Sequence, residues 1–340
     1  MDKQLYYLPQ GSRILVTGAN GYVGSNVIHS LLELGFKVRG TVRSEKPWLD
    51  KMFQEKFGRD AYESVILANF ENVDTLAEVM DGVSGVAHVA SDLSFSSNPE
   101  EVVPWVLRAV HNVLEACSRH RDIKRVVMTS SAIAALFPQP NKEGIVVRED
   151  SWNHEAIKQA YDPNSPEHMM GWICYAASKT EAEKAAWKWV EENKPGFQFN
   201  TVLPEFTLGR VLHENIPGST MGWVRGLIKG NAAPFEGFPP QYFCDVIDIA
   251  RLHAAALLDP NTVSRRLFGF AAPMSLTDII AVIRKLRPDN TLIPAAPLDE
   301  GRDLSEIIPA KEAEQLLRDF FGQEGWTSLE DSIAQGIEGC

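Results

Sequence analysis

The chain is short of cysteine, with four in 340 residues: Cys117, Cys174, Cys244 and Cys340. They lie far apart and show no metal-ligand spacing. That excludes a disulfide-built scaffold and a cysteine zinc site, and the thiols read as buried or idle groups in a reducing compartment. The eight histidines form no ligand cluster either, so no metal is expected. No apolar run is long enough to span a bilayer. Residues 1–12 lack the basic start and apolar core of a secretory signal. A soluble, cytoplasmic protein with no membrane partner is expected. An excess of positive charge is also missing. The formal net charge of −12 argues against nucleic acid or anionic lipid as a partner. Internal repeats and low-complexity segments are absent.

What remains is ordinary globular composition, 44% hydrophobic and 23% charged, which argues against disorder. The length accommodates one large α/β domain with a smaller lobe. Short apolar runs alternate with helical patterns through the first two hundred residues. Strands are expected at 13–17, 37–42, 65–68, 86–90, 125–130 and 197–203. Helices are expected at 21–34, closed by Gly35, at 104–119 and at 174–193. Such alternation implies a doubly wound parallel sheet covered on both faces, a Rossmann-type fold. After Pro204 glycine and proline become frequent. A strand running into a helix is expected at 241–250, a strand at 265–272, and helices at 275–286, 311–321 and 329–337. The helix at 275 starts with Ser275 and Asp278 in capping-box spacing. The chain divides into 1–205, the dinucleotide-binding and catalytic part, and 206–340, mainly a substrate lobe with segments returning to the first part.

The segment VTGANGYVGS follows the first strand and opens the first helix, with Gly18, Gly21 and Gly24 at its turns. Glycines there allow a tight turn and close approach of a pyrophosphate, and the helix start offers bare amides to the anion. A lone three-glycine motif is weak, but the strand–loop–helix context strengthens it. An NAD site usually ends its second strand in an acid that bonds the ribose 2′-hydroxyl. Here the strand ends VRGTVRS, with Arg39 and Arg43 and no acid. Guanidinium groups suit a 2′-phosphate, so NADPH is the expected cofactor. At 65–71, VILANFE places Asn69 and Phe70 near the expected adenine position, where an amide can still bond an amino group.

Tyr175 and Lys179 stand four apart in WICYAASKTEAE, on one helical face. A nearby ammonium would lower the phenol's pKa, and the phenol could protonate a carbonyl oxygen as hydride arrives at carbon. Y-x-x-x-K is common by chance. MTSSAIAA at 128–135, however, puts Ser130 and Ser131 at the end of the fifth strand, where active-site groups of an open sheet gather. Ser131 is the candidate for binding the substrate oxygen, and Ser130 reads as structural. His88, at a strand end, reads as structural too.

These motifs, in this order, resemble the extended short-chain dehydrogenases/reductases. Within them the chain is similar to the dihydroflavonol-4-reductase-like branch and, more closely, to the fungal and yeast NADPH-dependent carbonyl (aldehyde) reductases. YAASKTEAE, ENKPGF, GSTMGW and PPQYF carry the closer likeness, which covers nearly the whole chain. The resemblance implies that Ser131 and Tyr175 polarise a carbonyl and that Lys179 supports the tyrosine. It extends the cofactor site to Asn20, Tyr22 and Val23 in the loop. It adds Val89, Ala90 and Ser91 after the fourth strand, Thr129, Pro204 beside the carboxamide, and Thr207 toward a phosphate. Glu205 stands where relatives carry Asn or Ser. The substrate pocket is expected from Phe95, from Met221 and Trp223, and from Phe235, Phe238, Pro240, Gln241 and Tyr242, with Gln241 as its polar member. Such a pocket suits aryl or aliphatic carbonyls. Taken singly, each of these aromatics reads as core packing. The expected activity is reduction of aldehydes or ketones, with a dihydroflavonol-type ketone as the alternative substrate. A sugar-nucleotide epimerase is disfavoured by the missing acid, and a dinucleotide sensor by the intact Ser–Tyr–Lys set. Relatives include monomers and homodimers.

Overall fold

The computed structural model describes residues 6–340. Strand and helix alternate through β1 (Arg13–Val16), α1 (Tyr22–Glu33), β2 (Lys37–Val42), α2 (Pro47–Phe57), β3 (Tyr62–Ile66), α3 (Val73–Val79), β4 (Gly85–His88), α4 (Pro99–Ser118) and β5 (Arg125–Thr129). The chain continues through β6 (Val146–Val147), α5 (His154–Ala160), α6 (Met170–Asn193), β7 (Gln198–Pro204), β8 (Phe206–Leu208) and α7 (Thr220–Ile228). It ends with β9 (Gln241–Asp245), α8 (Val246–Leu258), β10 (Arg266–Gly269), β11 (Ala272–Met274), α9 (Leu276–Leu286), β12 (Glu306–Ile307), α10 (Ala310–Phe321) and α11 (Leu329–Gly336).

Seven strands form one parallel sheet in the order β3-β2-β1-β4-β5-β7-β10. The order reverses between β1 and β4, the crevice where doubly wound sheets bind ligands. On one face α1, α8 and α10 bury Ile28, Leu31, Leu252, Leu257 and Leu317. On the other, α3, α4 and α6 bury Leu76, Val113, Ala186 and Trp189. Strands covered on both faces must be apolar nearly throughout, and β1 and β5 are. The last third of the chain re-enters this body, since α8 packs on α1 and β10 pairs with β7. A small sheet, β11-β9-β8, and the helices α7, α9 and α11 form a separate apolar cluster beside it.

Some expected boundaries shift for identifiable reasons. β3 lies at Tyr62–Ile66, earlier than 65–68, because it is an edge strand. Its polar Glu63 and Ser64 fall outside an apolar-run criterion. α4 starts at Pro99, capped by the Asn98 side chain, rather than at 104. α6 starts at Met170 rather than 174. The single strand expected at 265–272 is two, β10 and β11, because the chain leaves the large sheet for the small one at Phe270 and Ala271. α2, α3, α5 and α7 were not expected. In α7 two glycines, Gly222 and Gly226, mask the helical pattern. The capping box of Ser275 and Asp278 is present. No helix among the described residues is long and apolar enough to cross a membrane. Cys117, Cys174 and Cys244 are buried free thiols, and Cys340 is exposed.

α6 is fastened to the sheet through Glu183, which is fully buried. Its carboxylate accepts from Ser130 Oγ of the β5 end (2.7 Å) and from Thr201 Oγ1 of β7 (2.7 Å). Arg266 of β10 adds Nε (2.8 Å) and Nη2 (3.1 Å). The Arg266 guanidinium is itself held by the Ser151 carbonyl (2.7 Å) and lies 3.8 Å from the Trp152 ring centroid. A buried pair is costly to break because the remaining charge is left without a partner. Glu183→Gln is therefore expected to lower stability by about 3–5 kcal/mol, read from denaturant unfolding. An unchanged transition midpoint would show that the network does not hold the helix.

Candidate active site

The glycine loop leaves β1 and turns into α1. A Cβ on Gly24 would stand 2.3 Å from the Gly18 carbonyl oxygen, so only glycine lets the helix start pack against the turn. Gly21 is the N-cap, with no side-chain acceptor and no acid in the first turn. That leaves the first-turn amides, among them those of Tyr22 and Val23, for an anion. The Tyr22 side chain does a different job: it is buried and its hydroxyl donates to the Gly209 carbonyl (2.9 Å). Asn20 and Val23 are half-buried. The loop is pinned to the β4 end by Thr17, whose Oγ1 accepts from the amides of Val89 and Ala90 (both 3.0 Å) and meets His88 Nδ1 at 3.0 Å. With both amides donating, the hydroxyl proton goes to Nδ1. Burial pushes His88 down to about 4, so it is neutral and structural. Ser91, just beyond, is exposed.

The two arginines of β2 separate. Arg39 lies in the middle of the strand, away from its carboxyl end. Its Nε donates to Glu63 Oε1 (2.7 Å), and its Nη1 donates to the carbonyls of Val79 and Asp81 (both 2.9 Å). It ties β2 to β3 and to the end of α3, so the expectation that it binds phosphate is corrected. Arg43, one residue past the strand, is exposed. Beside it stand Ser44 and Lys46, joined by a 2.8 Å hydrogen bond. Lys46 went unnoticed in the sequence, although it lies three residues from Arg43. Asn69 is exposed and accepts from the Glu71 amide (3.1 Å). Phe70 packs edge-on to His88, with centroids 5.2 Å apart.

At the β5 end Ser131 lies beside Tyr175, near enough for its hydroxyl to act on the phenol. Lys179 is buried, donates to the Thr129 carbonyl (3.3 Å) and lies 5.9 Å from the Tyr175 ring centroid. Thr129 Oγ1 is 2.6 Å from His253 Nε2, and His253 Nδ1 meets the Ile249 carbonyl at 2.8 Å. A carbonyl only accepts, so Nδ1 carries the proton and Thr129 donates. Burial pushes the Tyr175 phenol up to about 12, with the Ser131 hydroxyl opposing and the charge of Glu205 adding. The expected lowering by Lys179 is corrected: desolvation wins, and the resting phenol keeps its proton. Burial lowers Lys179 to about 8, against the fields of Glu183 and Asp92. Ser130 points elsewhere, to Glu183.

From Tyr175 a wall of rings leads outward. Phe95 lies 5.0 Å from Tyr175 and 5.0 Å from Trp172. Trp172 continues to Phe238 (5.3 Å), and Phe238 to Trp223 (5.3 Å). Phe235 is buried behind Trp223 at 5.9 Å. Trp172 was missed, although it precedes Tyr175 by three residues and so shares its face. The Phe95 backbone reaches this place because a Cβ on Gly171 would meet the Phe95 carbonyl oxygen at 2.7 Å. Met221 is not in the wall. It is fully buried in the small-lobe core, its sulfur filling the space where a side chain at Gly336 would be. Thr207 is corrected likewise: its buried hydroxyl donates to the Glu205 carbonyl (2.8 Å) and faces Cys244 Sγ (3.5 Å). Pro204 ends β7 and is buried. Gln241 is buried, its Nε2 donating to the Pro239 carbonyl (3.2 Å). Tyr242 donates to the Ser305 carbonyl (2.7 Å), which turns it away from a substrate role.

Comparison with known proteins shows the family and the fold. The model of the NAD dependent epimerase/dehydratase family matches residues 14–267. The ketoreductase nvfG of Aspergillus novofumigatus is 43% identical over 99% of both chains. Aldehyde reductase 2 of Sporidiobolus salmonicolor is 43% identical over 96% of this chain and 95% of its own. Among solved structures, the yeast methylglyoxal/isovaleraldehyde reductase Gre2 complexed with NADPH superposes with a TM-score of 0.78. It has 21% identity and covers 95% of this chain and 96% of its own, which shows the shared fold. The chain belongs to the NAD dependent epimerase/dehydratase family, the extended short-chain dehydrogenases/reductases.

Proposed function

We propose that the protein is an NADPH-dependent carbonyl reductase, converting a ketone or aldehyde to the alcohol. One observation carries the reading: Ser131, Tyr175 and Lys179 come together at the carboxyl end of β5, with the Lys179 ammonium 5.9 Å from the Tyr175 ring centroid and bonded to the Thr129 carbonyl. The names of the relatives, ketoreductase and aldehyde reductase, support it. The loop fits a dinucleotide, because the Gly24 contact has no room for a side chain and the α1 start lacks a side-chain cap. Arg43, Ser44 and Lys46 would hold the 2′-phosphate. Lys179 and Pro204 would border the nicotinamide riboside.

Ser131 and Tyr175 hold the carbonyl oxygen between their hydroxyls. When bound, the cofactor supplies a hydride to the carbonyl carbon. Tyr175 then delivers its proton to the oxygen, and the Lys179 charge stabilises the phenolate left behind. The ring wall excludes water and accepts aryl or alkyl substituents, so aryl ketones and β-keto esters are suitable substrates. A cytoplasmic enzyme acting as a monomer or homodimer completes the reading.

Tyr175→Phe should cut kcat about a hundredfold or more while leaving NADPH affinity nearly unchanged, measured by turnover and by cofactor fluorescence titration. Lost cofactor binding would make the residue structural. Arg43→Ala should cost about 10- to 100-fold in kcat/KM with NADPH and little with NADH. Arg39→Ala should lower thermal stability without changing that preference, and a selective NADPH defect in it would reverse the assignment. Lys179 is charged below its pKa of about 8 and neutral above it. Reductive kcat/KM should therefore fall as pH rises through that value, and a flat profile would remove the ammonium from the mechanism.

A further inference from the structure

Residues 43–46, assigned above to the 2′-phosphate, join the end of β2 to the start of α2, and Arg43 and Ser44 are exposed. Among the described residues the hydrogen bonds of this loop are local. Lys46 Nζ donates to Ser44 Oγ (2.8 Å), and the Leu49 amide donates to the Lys46 carbonyl (2.8 Å). Lys46 is the N-cap of α2 and gives it no side-chain cap. The place of the loop is therefore set by whatever holds the elements at its two ends. β2 is fixed in the sheet between β1 and β3. The first turn of α2 rests on buried Leu49 and is held from two sides. Toward β3, Asp50 accepts from the Ser64 amide (3.0 Å). Toward the small lobe, the Trp48 ring lies flat on His213, with centroids 4.5 Å apart and planes at 23°. Trp48 also packs against the apolar clusters of both the large sheet and the small lobe.

His213 belongs to the segment between β8 and α7, and that segment is itself anchored. Tyr22 donates to the Gly209 carbonyl (2.9 Å), Arg210 Nε donates to Asn26 Oδ1 (2.9 Å), and Ile216 is buried in the small-lobe core. His213 Nδ1 accepts from the Asn215 amide (3.1 Å), which fixes the rotation of the ring against Trp48. A firmly held ring thus lies on the residue two positions after Lys46. We propose that His213 is a positioning residue for NADPH. Through Trp48 it holds the start of α2, and with it Arg43, Ser44 and Lys46, where they meet the 2′-phosphate. It acts through Trp48 rather than on the cofactor. The proposal rests on the assignment of the 2′-phosphate to this loop. The amides offered to the pyrophosphate belong to α1 and do not depend on α2, so the brace bears on NADPH and not on NADH.

The test is cofactor fluorescence titration of the full chain with NADPH and with NADH. His213→Ala should weaken NADPH about three- to tenfold, the worth of one aromatic pair, and change NADH by less than about twofold. His213→Phe keeps a flat ring and should bind NADPH as wild type does. In a Trp48→Leu background His213→Ala should add nothing, because its partner is gone. Equal losses on both cofactors would make the pair a support of the fold and overturn the proposal. So would an unchanged NADPH affinity in His213→Ala. A loss in His213→Phe as large as in His213→Ala would mean that the imidazole itself meets the phosphate, which overturns it too. Arg43→Ala is titrated alongside. If it shows no NADPH-selective loss, the phosphate assignment fails and the proposal falls with it. A selective loss in Arg43→Ala with none in His213→Ala removes the brace alone.

Discussion

The helix that carries Tyr175 and Lys179 depends on one buried carboxylate at its back. Glu183 lies four and eight residues after Lys179 and Tyr175, on the face that meets the sheet, and gathers donors from β5, β7 and β10. Its partner on β5 is Ser130, next to Ser131. The same carboxylate thus sets the height of α6 on the sheet and the angle of the strand end that faces Tyr175. It also raises Lys179 against the desolvation that lowers it, helping to keep an ammonium in an almost dry site. Hydrophobic packing alone would let α6 slide, since small residues such as Ala176, Ala177 and Ala186 make up much of its buried face. A directional, multiply bonded charge resists sliding in a way that alanine methyls do not.

A second fixed point stands at the switch of the sheet. Thr17, the last residue before the glycine turn, bonds two amides and a histidine from the far side of β4. The dinucleotide loop and the strand end that borders it then move as one body. His88 contributes as a neutral acceptor because burial denies it a charge. A histidine in a catalytic cleft is easily taken for an acid–base group, but here its ring nitrogen belongs to the scaffold.

The fold was legible in the sequence where burial is two-sided. β1, β4 and β5 are largely apolar because helices cover both faces, and the glycine loop and the Tyr–Lys pair lie on elements that local pattern locates well. The failures concern direction. Arg39 and Arg43 look equivalent as letters, yet one is mid-strand and meets Glu63, while the other is beyond the strand end. A count from the strand's start would have separated them. Met221 and Trp223 are two apart on α7 and therefore on different faces, one in the lobe core and one in the ring wall. Because the helix was not recognised, both were assigned to the pocket. Thr207 failed for another reason: nothing local indicates that a hydroxyl will turn back to a carbonyl two residues away.

Trp172 links these points to specificity. It stands one turn before Tyr175 on the same helix, so this ring of the wall and the phenol share one rigid support. Phe95 reaches both rings only because Gly171 has no side chain. A shift of α6 would therefore move Trp172 and Tyr175 together, whereas Trp223 is carried by α7. The candidate site is assembled from two elements, α6 with Trp172, Tyr175 and Lys179 and the strand ends with Ser131, and Glu183 bonds one to the other. Selectivity in such a site is a matter of register between helix and sheet as much as of the side chains that line it.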